Sequence, residues 1–263
     1  MSRIAVVTGG SSGIGRETAL ALCQQGVKVY ELSRHGKSQD GVLHITCDVT
    51  DEGAVRAALN RIYEMEGRLD ILISNAGFGI SGAVEFTSGQ QVRAQMEVNF
   101  FGMDNCVRAV LPILRQQGGG RIVCISSVAA AIPIPFQTYY SVSKAAITAY
   151  CTALYSEVAP FCIQVCAVLP GDIHTGFTGA RQKVIEGDDL YQGRISRSVA
   201  TMEKDELHGM SARAAGARIA RIALRQRVKP QYGLGVKYQL FLVLCRLLPC
   251  RLTAWIVGKL YGG

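Results

Sequence analysis

Short apolar runs alternate with helical periodicity over the first two thirds of the chain. Each run is almost continuously apolar and is followed by a segment whose apolar positions recur three or four residues apart. The predicted strands cover residues 4–10, 27–32, 42–47, 69–74, 121–126 and 163–169, and the predicted helices cover residues 14–25, 52–66, 89–117 and 138–158. Strands of this kind are buried on both faces. The pattern predicts an α/β fold, a doubly wound parallel β-sheet flanked by helices.

The ends of these strands carry polar and glycine residues. In chain order the ends are TGGSSGIG, SRHG, CDV, NAG, ISS and LPGDI. Because the carboxyl ends of parallel strands meet at one edge of the sheet, and open α/β sheets bind ligands there, we expect the functional site at this edge.

Composition narrows the class of protein. The 263 residues and their apolar fraction suit one domain, and the N-terminus has the pattern of a strand and not of a signal peptide, so a cytoplasmic location is expected. The nine cysteines form no CxxC pair, and the four histidines lack metal-ligand spacing. We therefore expect reduced thiols and no metal.

The formal net charge of +8 is concentrated near the C-terminus. Residues 211–263 hold ten Lys or Arg and no Asp or Glu, whereas the other 210 residues hold 18 basic and 20 acidic side chains. An electrostatic partner would therefore meet the C-terminal segment. That segment lacks the aromatic interleaving of a nucleic-acid groove, so no nucleic acid is expected.

The first strand leads into a glycine-rich turn with the spacing TGxxxGxG. Its glycines are Gly9, Gly13 and Gly15, with Gly10 in addition. Glycines at a strand-to-helix turn let the backbone approach a pyrophosphate at the helix N-terminus. A tight turn with no ligand is the alternative.

A tyrosine and a lysine lie four residues apart in the last predicted helix. Tyr140 and Lys144 therefore share a helix face, from which Tyr139 points away. A neighbouring ammonium favours the phenolate and would lower the pKa of Tyr140 towards the range useful for proton transfer. The alternative to a functional role is that Tyr140 and Lys144 are an accidental pair on the surface.

Taken together, the motifs between residues 3 and 175 resemble the classical short-chain dehydrogenase/reductase family. They are TGGSSGIG, Asp48–Val49, NAG at 75–77, Asn99 in VNFFG, Ser127 in ISS, Tyr140 with Lys144, and Pro170–Gly171 followed by Ile173 and Thr175. The resemblance implies a Rossmann-type fold and an oxidoreductase that interconverts a carbonyl and an alcohol with a nicotinamide cofactor.

The resemblance also implies roles for individual residues. Ser127, thirteen residues before Tyr140 and preferred over Ser126, would bind the substrate oxygen together with Tyr140, which transfers the proton. Lys144 would bind the ribose of the cofactor, and Asn99 would position a water molecule that links Lys144 to solvent. The implied cofactor-binding residues are Gly9, Ser11, Ser12, Gly13, Ile14, Gly15, Ser33, Arg34, Asp48, Val49, Asn75, Ala76, Gly77, Tyr140, Lys144, Pro170, Gly171, Ile173 and Thr175.

The end of the second strand bears on the choice of cofactor. Ser33 stands where NAD-preferring relatives carry Asp, and Arg34 can meet a 2′-phosphate, with Arg16 as a second cation, so NADP(H) is expected. The alternative is that Glu31 binds the ribose and selects NAD. Asp48 could also cap the following helix.

The chain departs from the family pattern in three places. Only eight residues separate Arg34 from the third strand, so the usual helix there is short or missing. VAAAIPIPF, after the serines, would form an apolar wall beside the site. The C-terminal TGxxxxVDGG strand is expected to be missing, which disfavours functions of many tetrameric members, including 3-oxoacyl-carrier-protein reduction.

The predicted organisation is a dinucleotide-binding domain over residues 1–230, with a substrate lid at about 176–210, and a helical extension over residues 231–263. The extension is apolar and basic, but its uninterrupted apolar run covers only Leu240–Cys245, too short to span a membrane. It could cap an apolar substrate pocket or pack on the core, lie on a membrane as an interfacial anchor, or contact another subunit.

The expected substrate is a hydrophobic steroid-, retinoid- or lipid-like carbonyl or alcohol. The expected assembly is a homodimer through the helices near 103–117 and 139–158, as the resemblance implies, with a possible peripheral membrane contact. Alternatives are a catalytically silent NADP-binding sensor or scaffold, an NAD-dependent alcohol dehydrogenase, and an epimerase or dehydratase of the same fold.

Overall fold

The computed structural model describes residues 2–262, which build a parallel sheet covered by helices on both faces. The strands are β1 Ile4–Thr8, β2 Lys28–Ser33, β3 Val42–Thr46, β4 Ile71–Ser74, β5 Ile80–Ser81, β6 Gly120–Ile125, β7 Ile163–Pro170, β8 Ile173–His174, β9 Gln182–Lys183, β10 Met210–Ser211 and β11 Gln231–Leu234. The helices are α1 Gly13–Cys23, α2 Glu52–Glu66, α3 Gly89–Met96, α4 Gly102–Gln116, α5 Thr138–Glu157, α6 Phe177–Ala180, α7 Arg194–Leu207, α8 Ala212–Ala223, α9 Val236–Leu247 and α10 Cys250–Tyr261.

The main sheet has seven strands in the order β11-β7-β6-β4-β1-β2-β3, and its strand pairs are parallel. Successive residues of β1 enter opposite cores: Ile4 and Val6 pack with α2, α4 and α5, while Ala5 and Val7 pack with α1 and α8. This alternation is why the central strands are apolar at nearly every position. The predicted Rossmann-type α/β fold is confirmed.

The helix boundaries follow local capping chemistry. Asp51 caps α2, its Oδ1 accepting a hydrogen bond from the Ala54 amide at 2.9 Å, so the suggestion that Asp48 caps this helix is wrong. Asp48 Oδ1 instead accepts bonds from the amide and hydroxyl of Thr50, which fixes the carboxylate at the strand end. The helix predicted over 89–117 is α3 and α4 joined by a π-helical turn, Glu97–Phe101.

Two expectations about connections have different outcomes. The helix expected to be short or missing between β2 and β3 is replaced by a loop closed by a bridge between Gln39 and Val42. The missing C-terminal strand is a wrong prediction, because residues 231–234, assigned to the helical extension, form β11 and pair with β7. The backbone of β11 completes the sheet edge although the TGxxxxVDGG motif is absent.

The remaining expected segments lie beyond the sheet. The predicted lid contains α6, β9 and α7, and the C-terminal extension contains α9 and α10. Over residues 2–262, no helix combines the length and apolarity needed to cross a bilayer. In the same part of the chain, no group of three His, Cys, Asp or Glu side chains is arranged to hold a metal ion.

Candidate active site

A cavity of about 1510 Å³ opens at the carboxyl ends of the strands. Its wall contains most of the residues that the sequence singled out. These are Gly9, Ser11, Ser12, Gly13, Ile14, Ser33, Arg34, Asp48, Val49, Asn75, Ala76, Gly77, Ser127, Tyr140, Lys144, Pro170, Gly171, Ile173 and Thr175. Gly15 and Asn99 lie behind this wall, where they support it.

The glycine loop presents a helix N-terminus to the cavity. Gly9 and Gly13 have φ of +63° and +54°, a conformation that glycine adopts without strain. Ser12 begins α1 without a side-chain cap, and no acidic residue occupies the first turn, so the first amides of the helix are left for a ligand. A Cβ at Gly15 would lie 2.3 Å from the Gly9 carbonyl oxygen. The loop therefore fits an anionic pyrophosphate.

At the far end of the cavity, Ser33 and Arg34 line the wall and Glu31 does not. The Glu31 carboxylate is buried beneath the glycine loop, where its Oε1 accepts a bond from Ser33 Oγ at 3.1 Å and contacts His44 Nδ1. Glu31 is thus engaged inside the protein. Arg34, directly after β2, is exposed on the cavity wall.

Two other charged residues near this end have defined partners. Arg16 forms an exposed ion pair with Asp40 at 3.0 Å, so the second expected phosphate cation is engaged by the loop before β3. The hydrogen bond from the Thr50 amide holds the pKa of Asp48 below its ordinary value, with a smaller contribution from the charge of Arg34. Asp48 is therefore an ionised acceptor on the cavity wall.

Ser127 and Tyr140 both line the cavity. Burial raises the pKa of Tyr140 to about 12, and a hydrogen bond with Ser127 offsets part of this rise. The hydroxyl of Ser126 donates to the Lys144 carbonyl at 2.8 Å and also contacts Thr148, so it holds α5 against β6. Of the two serines, Ser127 is the one placed to share a substrate oxygen with Tyr140.

Lys144 is buried beside Tyr140. Its Nζ donates to the Ile125 carbonyl at 2.9 Å and lies 5.7 Å from the centre of the Tyr140 ring. Burial lowers the pKa of Lys144 to about 8. The expected lowering of the Tyr140 pKa is wrong for this structure, because burial of the phenol dominates and raises the pKa.

Asn99 links the wall to α5 from the π-helical turn. Its Nδ2 donates to the Phe78 carbonyl and to Ser143 Oγ, both at 3.0 Å, and its Oδ1 accepts from the Phe78 amide at 2.9 Å. A Cβ on Gly77 would lie 3.0 Å from Asn99 Oδ1 and 3.6 Å from Lys144 Nζ. Asn99 and Lys144 therefore border the same glycine.

Sequence reasoning missed three lid residues, Phe177, Arg181 and Glu206, that form the surroundings of Tyr140. The Phe177 ring packs against Tyr140 with a centroid distance of 5.9 Å, and the guanidinium of Arg181 lies 5.8 Å from the Phe177 ring. Arg181, whose side chain is fully buried, pairs with Glu206, which also accepts a bond from Thr178 at 2.6 Å. The charge of Glu206 raises the Tyr140 pKa and that of Arg181 lowers it.

The C-terminal helices close one side of the cavity, as the first of the three interpretations proposed. Tyr238 of α9 donates to Asp172, and Tyr261 of α10 donates to Asp205 at 2.8 Å. Burial raises the pKa of Asp172. The apolar lining from these helices consists of Phe241, Leu244, Leu248, Ile256, Val257 and Leu260. The sequence signal for this placement was only the apolar character of the segment.

A family model, curated relatives and solved structures all relate this chain to short-chain dehydrogenases and reductases. The short chain dehydrogenase family model matches residues 3–185. A 3-ketodihydrosphingosine reductase of Bacteroides thetaiotaomicron is 42% identical over 227 residues, covering 85% of this chain and 84% of that protein. Human 17-beta-hydroxysteroid dehydrogenase type 1 is 30% identical over 209 residues, covering 72% of this chain and 63% of that protein. A crystal structure of a short-chain dehydrogenase from Streptomyces avermitilis has a TM-score of 0.84 at 29% identity, covering 98% and 97% of the two chains.

Proposed function

The chain belongs to the classical short-chain dehydrogenase/reductase family of oxidoreductases, and we propose that it uses NADPH to reduce a ketone on a long-chain, lipid-like substrate. One observation carries the proposal. The Ser127–Tyr140 pair lies in a cavity whose other walls are the glycine loop and the apolar inner faces of α9 and α10. Such a cavity can hold a dinucleotide and an apolar chain side by side.

The apolar side of the cavity supports a lipid substrate. Val128, Ala129, Ile132 and Ile134, from the apolar run after the serines, line it together with the two C-terminal helices. A substrate that fills such a wall gains binding free energy roughly in proportion to the apolar area it buries. The similarity to a 3-ketodihydrosphingosine reductase makes 3-ketodihydrosphingosine the first substrate to test.

The environment of β2 supports NADPH over NADH. Arg34 is exposed at the cavity wall, and Ser33 leaves room beside it for a phosphate. The competing carboxylate, Glu31, is buried and bonded to Ser33 and His44, so binding a ribose would require breaking both contacts. An arginine that meets a phosphate forms a charge-assisted hydrogen bond, among the stronger polar contacts in proteins.

In this proposal the residues of the chain manage the proton and the orientation of the carbonyl. When bound, the reduced nicotinamide supplies the hydride to the carbonyl carbon. Tyr140 donates its hydroxyl proton to the carbonyl oxygen, while Ser127 donates a hydrogen bond to that oxygen and stabilises the developing negative charge. The phenol is protonated at neutral pH, as proton donation in a reduction requires, and burial raises its pKa further, to about 12. Lys144, when charged, adds positive potential beside Tyr140.

A ketosteroid is the second candidate substrate. The observation that favours it is the similarity to human 17-beta-hydroxysteroid dehydrogenase type 1. A rigid steroid and a flexible lipid chain make different demands on the cavity, because the lipid can follow the groove between α9 and α10 whereas the steroid cannot bend. The two substrates are therefore distinguishable by direct comparison of kcat/KM.

We further propose a cytoplasmic homodimer that contacts a membrane through its C-terminal segment, where a lipid substrate would be concentrated. The exposed side chains of Phe101 and Val142, beside α4 and on α5, support a dimer contact through these helices. Light scattering after size exclusion tests the dimer, with Val142→Glu as the disrupting variant. A monomeric wild-type protein would contradict it.

The experiment that tests the reaction follows the absorbance of NADPH and NADH with 3-ketodihydrosphingosine, a ketosteroid, retinaldehyde and a small aldehyde. We expect NADPH consumption with the keto lipid, and formation of the alcohol in equal amount. Turnover of NADH in preference to NADPH would overturn the cofactor assignment. Conversion of a substrate without net NADPH consumption would replace reduction by an epimerase or dehydratase reaction, and NADPH binding without any turnover would favour a sensor.

A further inference from the structure

The outer side of α9 is an unpartnered apolar stripe. It consists of Val236, Leu240, Val243 and Leu247, whose spacing of four, three and four residues places them on one face of the helix. These side chains are between 52 and 83% exposed. The cavity-lining side chains of the same helix, Phe241 among them, lie on a different face. The helix therefore has one apolar face towards the cavity and another towards the outside.

The next helix, α10, also carries exposed apolar side chains. Leu252 and Trp255 are exposed there, one helical turn apart, while the opposite face, with Val257 and Tyr261, lines the cavity. We call the six outward residues of the two helices, Val236, Leu240, Val243, Leu247, Leu252 and Trp255, the outer apolar surface. Large exposed aliphatic and aromatic patches of this kind mark interaction sites.

The charges around this surface indicate what covers it. Lys237, Arg246, Arg251 and Lys259 are exposed on α9 and α10, and neither these helices nor any other residue after 210 carries a carboxylate side chain. Pairing this surface with a second copy of itself would bring like charges together. An anionic lipid surface instead offers hydrocarbon to the apolar side chains and negative headgroups to the four cations.

We propose that α9 and α10 dock onto an anionic membrane through the outer apolar surface. The helices lie in the plane of the interface, with Trp255 and the aliphatic side chains inserted and the cations at headgroup level. Because the inner faces of the same two helices line the cavity, an apolar substrate can pass from the bilayer between them to Tyr140 without crossing water. This entry route rests on the proposed function, whereas membrane docking does not.

The chain supplies its own probe, since Trp255 is its only tryptophan. Its fluorescence is measured while the protein is titrated with vesicles of phosphatidylcholine containing phosphatidylserine, and with vesicles of phosphatidylcholine alone. We expect a blue shift and quenching by brominated acyl chains with the anionic vesicles. Binding should be weaker by up to about several hundredfold at high salt and on neutral vesicles, because each of the four cations near the surface contributes a factor of about five.

The variant Leu240→Glu/Leu247→Glu tests the surface, with Met65→Glu on α2 as the matched control. The side chains of Leu240, Leu247 and Met65 are each more than half exposed, so these substitutions leave the core intact. Burying one such side chain in hydrocarbon contributes a factor of about ten or more. We therefore expect at least a tenfold loss of vesicle binding in the double variant and none in Met65→Glu.

Three results would overturn the proposal. The first is Trp255 emission that does not change with anionic vesicles, and the second is equal binding to neutral and anionic vesicles. The third is conversion of a dimer to a monomer by Leu240→Glu/Leu247→Glu, because that would assign the outer apolar surface to contact with a second copy. Reduction of a short, water-soluble ketone by the double variant serves as the separate check on the reaction. If the double variant still reduces the soluble ketone but no longer binds vesicles, the docking proposal is supported. If the wild-type protein does not reduce the ketone, that result counts against the proposed function alone.

Discussion

The buried ion pair between Arg181 and Glu206, near Tyr140, gives a prediction with a defined magnitude. The side chain of Arg181 is fully buried, and it pairs with Glu206, whose other oxygen accepts a bond from Thr178. Arg181→Met leaves the largely buried Glu206 carboxylate with the Thr178 hydroxyl but without its cation. Removing one partner of a buried pair typically costs about 3–5 kcal/mol. Because Nε and one terminal nitrogen of Arg181 have no hydrogen-bond partner, we expect the lower end, about 3 kcal/mol.

The assay is urea unfolding followed by circular dichroism, supported by the melting temperature, which should fall by about 6–12 °C. Lys183→Met is the matched control, because Lys183 pairs with Glu203 at 2.5 Å on the surface of the same lid and should cost less than about 1 kcal/mol. In Arg181→Met/Glu206→Met no charge is left unpaired, so most of the stability should return. A loss below about 1 kcal/mol in Arg181→Met, or a double variant as unstable as the sum of the singles, would refute the reasoning.

Three further predictions concern the cofactor, the pH dependence and the C-terminal cap. Arg34→Ala should raise the KM for NADPH at least about tenfold and leave that for NADH unchanged, and equal effects on both would show that Arg34 does not meet the phosphate. The pKa of Lys144 is lowered from 10.5 to about 8, so its side chain is charged below pH 8 and neutral above it. The value of kcat/KM for reduction should therefore fall above pH 8. A pH profile that stays flat up to pH 10.5 would contradict a role for the charge of Lys144. In Gly171→Ala the new Cβ would lie 2.2 Å from the Tyr238 ring, so the free energy of unfolding in urea should fall by about 1–3 kcal/mol. Gly176 has open space around it, so Gly176→Ala should not lower that free energy. Equal stabilities of the two variants would show that Tyr238 of α9 does not pack against Gly171.

Local chemistry explains why most of the sheet and cavity could be predicted. The strands β1, β2, β4, β6 and β7 are buried along most of their length, so their apolar runs are visible in the sequence, and their carboxyl ends necessarily share one edge. The motifs at that edge are contiguous and resemble those of the family, so Gly9, Asn75, Ser127 and Tyr140 could be placed through that resemblance. All four line the cavity in the structure.

The features that sequence reasoning missed depend on distant contacts. β11 is only four residues, QYGL, and it is a strand because β7 offers a free edge, not because of its own pattern. Arg181 and Glu206 are 25 residues apart in a lid of mixed polarity, so nothing local pairs them. Burial of Tyr140 raised its pKa although the i, i+4 lysine suggested the opposite, because desolvation depends on the whole fold.

The central claim is that Tyr140 gives the proton in an NADPH-dependent reduction, and the most direct test compares Tyr140→Phe with Tyr139→Phe. Phenylalanine preserves the packing of the Tyr140 ring against Phe177 and removes only the hydroxyl, while the Tyr139 hydroxyl makes a single long contact, 3.5 Å, with the Val84 carbonyl. With 3-ketodihydrosphingosine and NADPH, the account predicts that Tyr140→Phe lowers kcat at least about a hundredfold with NADPH binding unchanged, and that Tyr139→Phe stays near wild type. Wild-type reduction of the ketone that persists in Tyr140→Phe would contradict it.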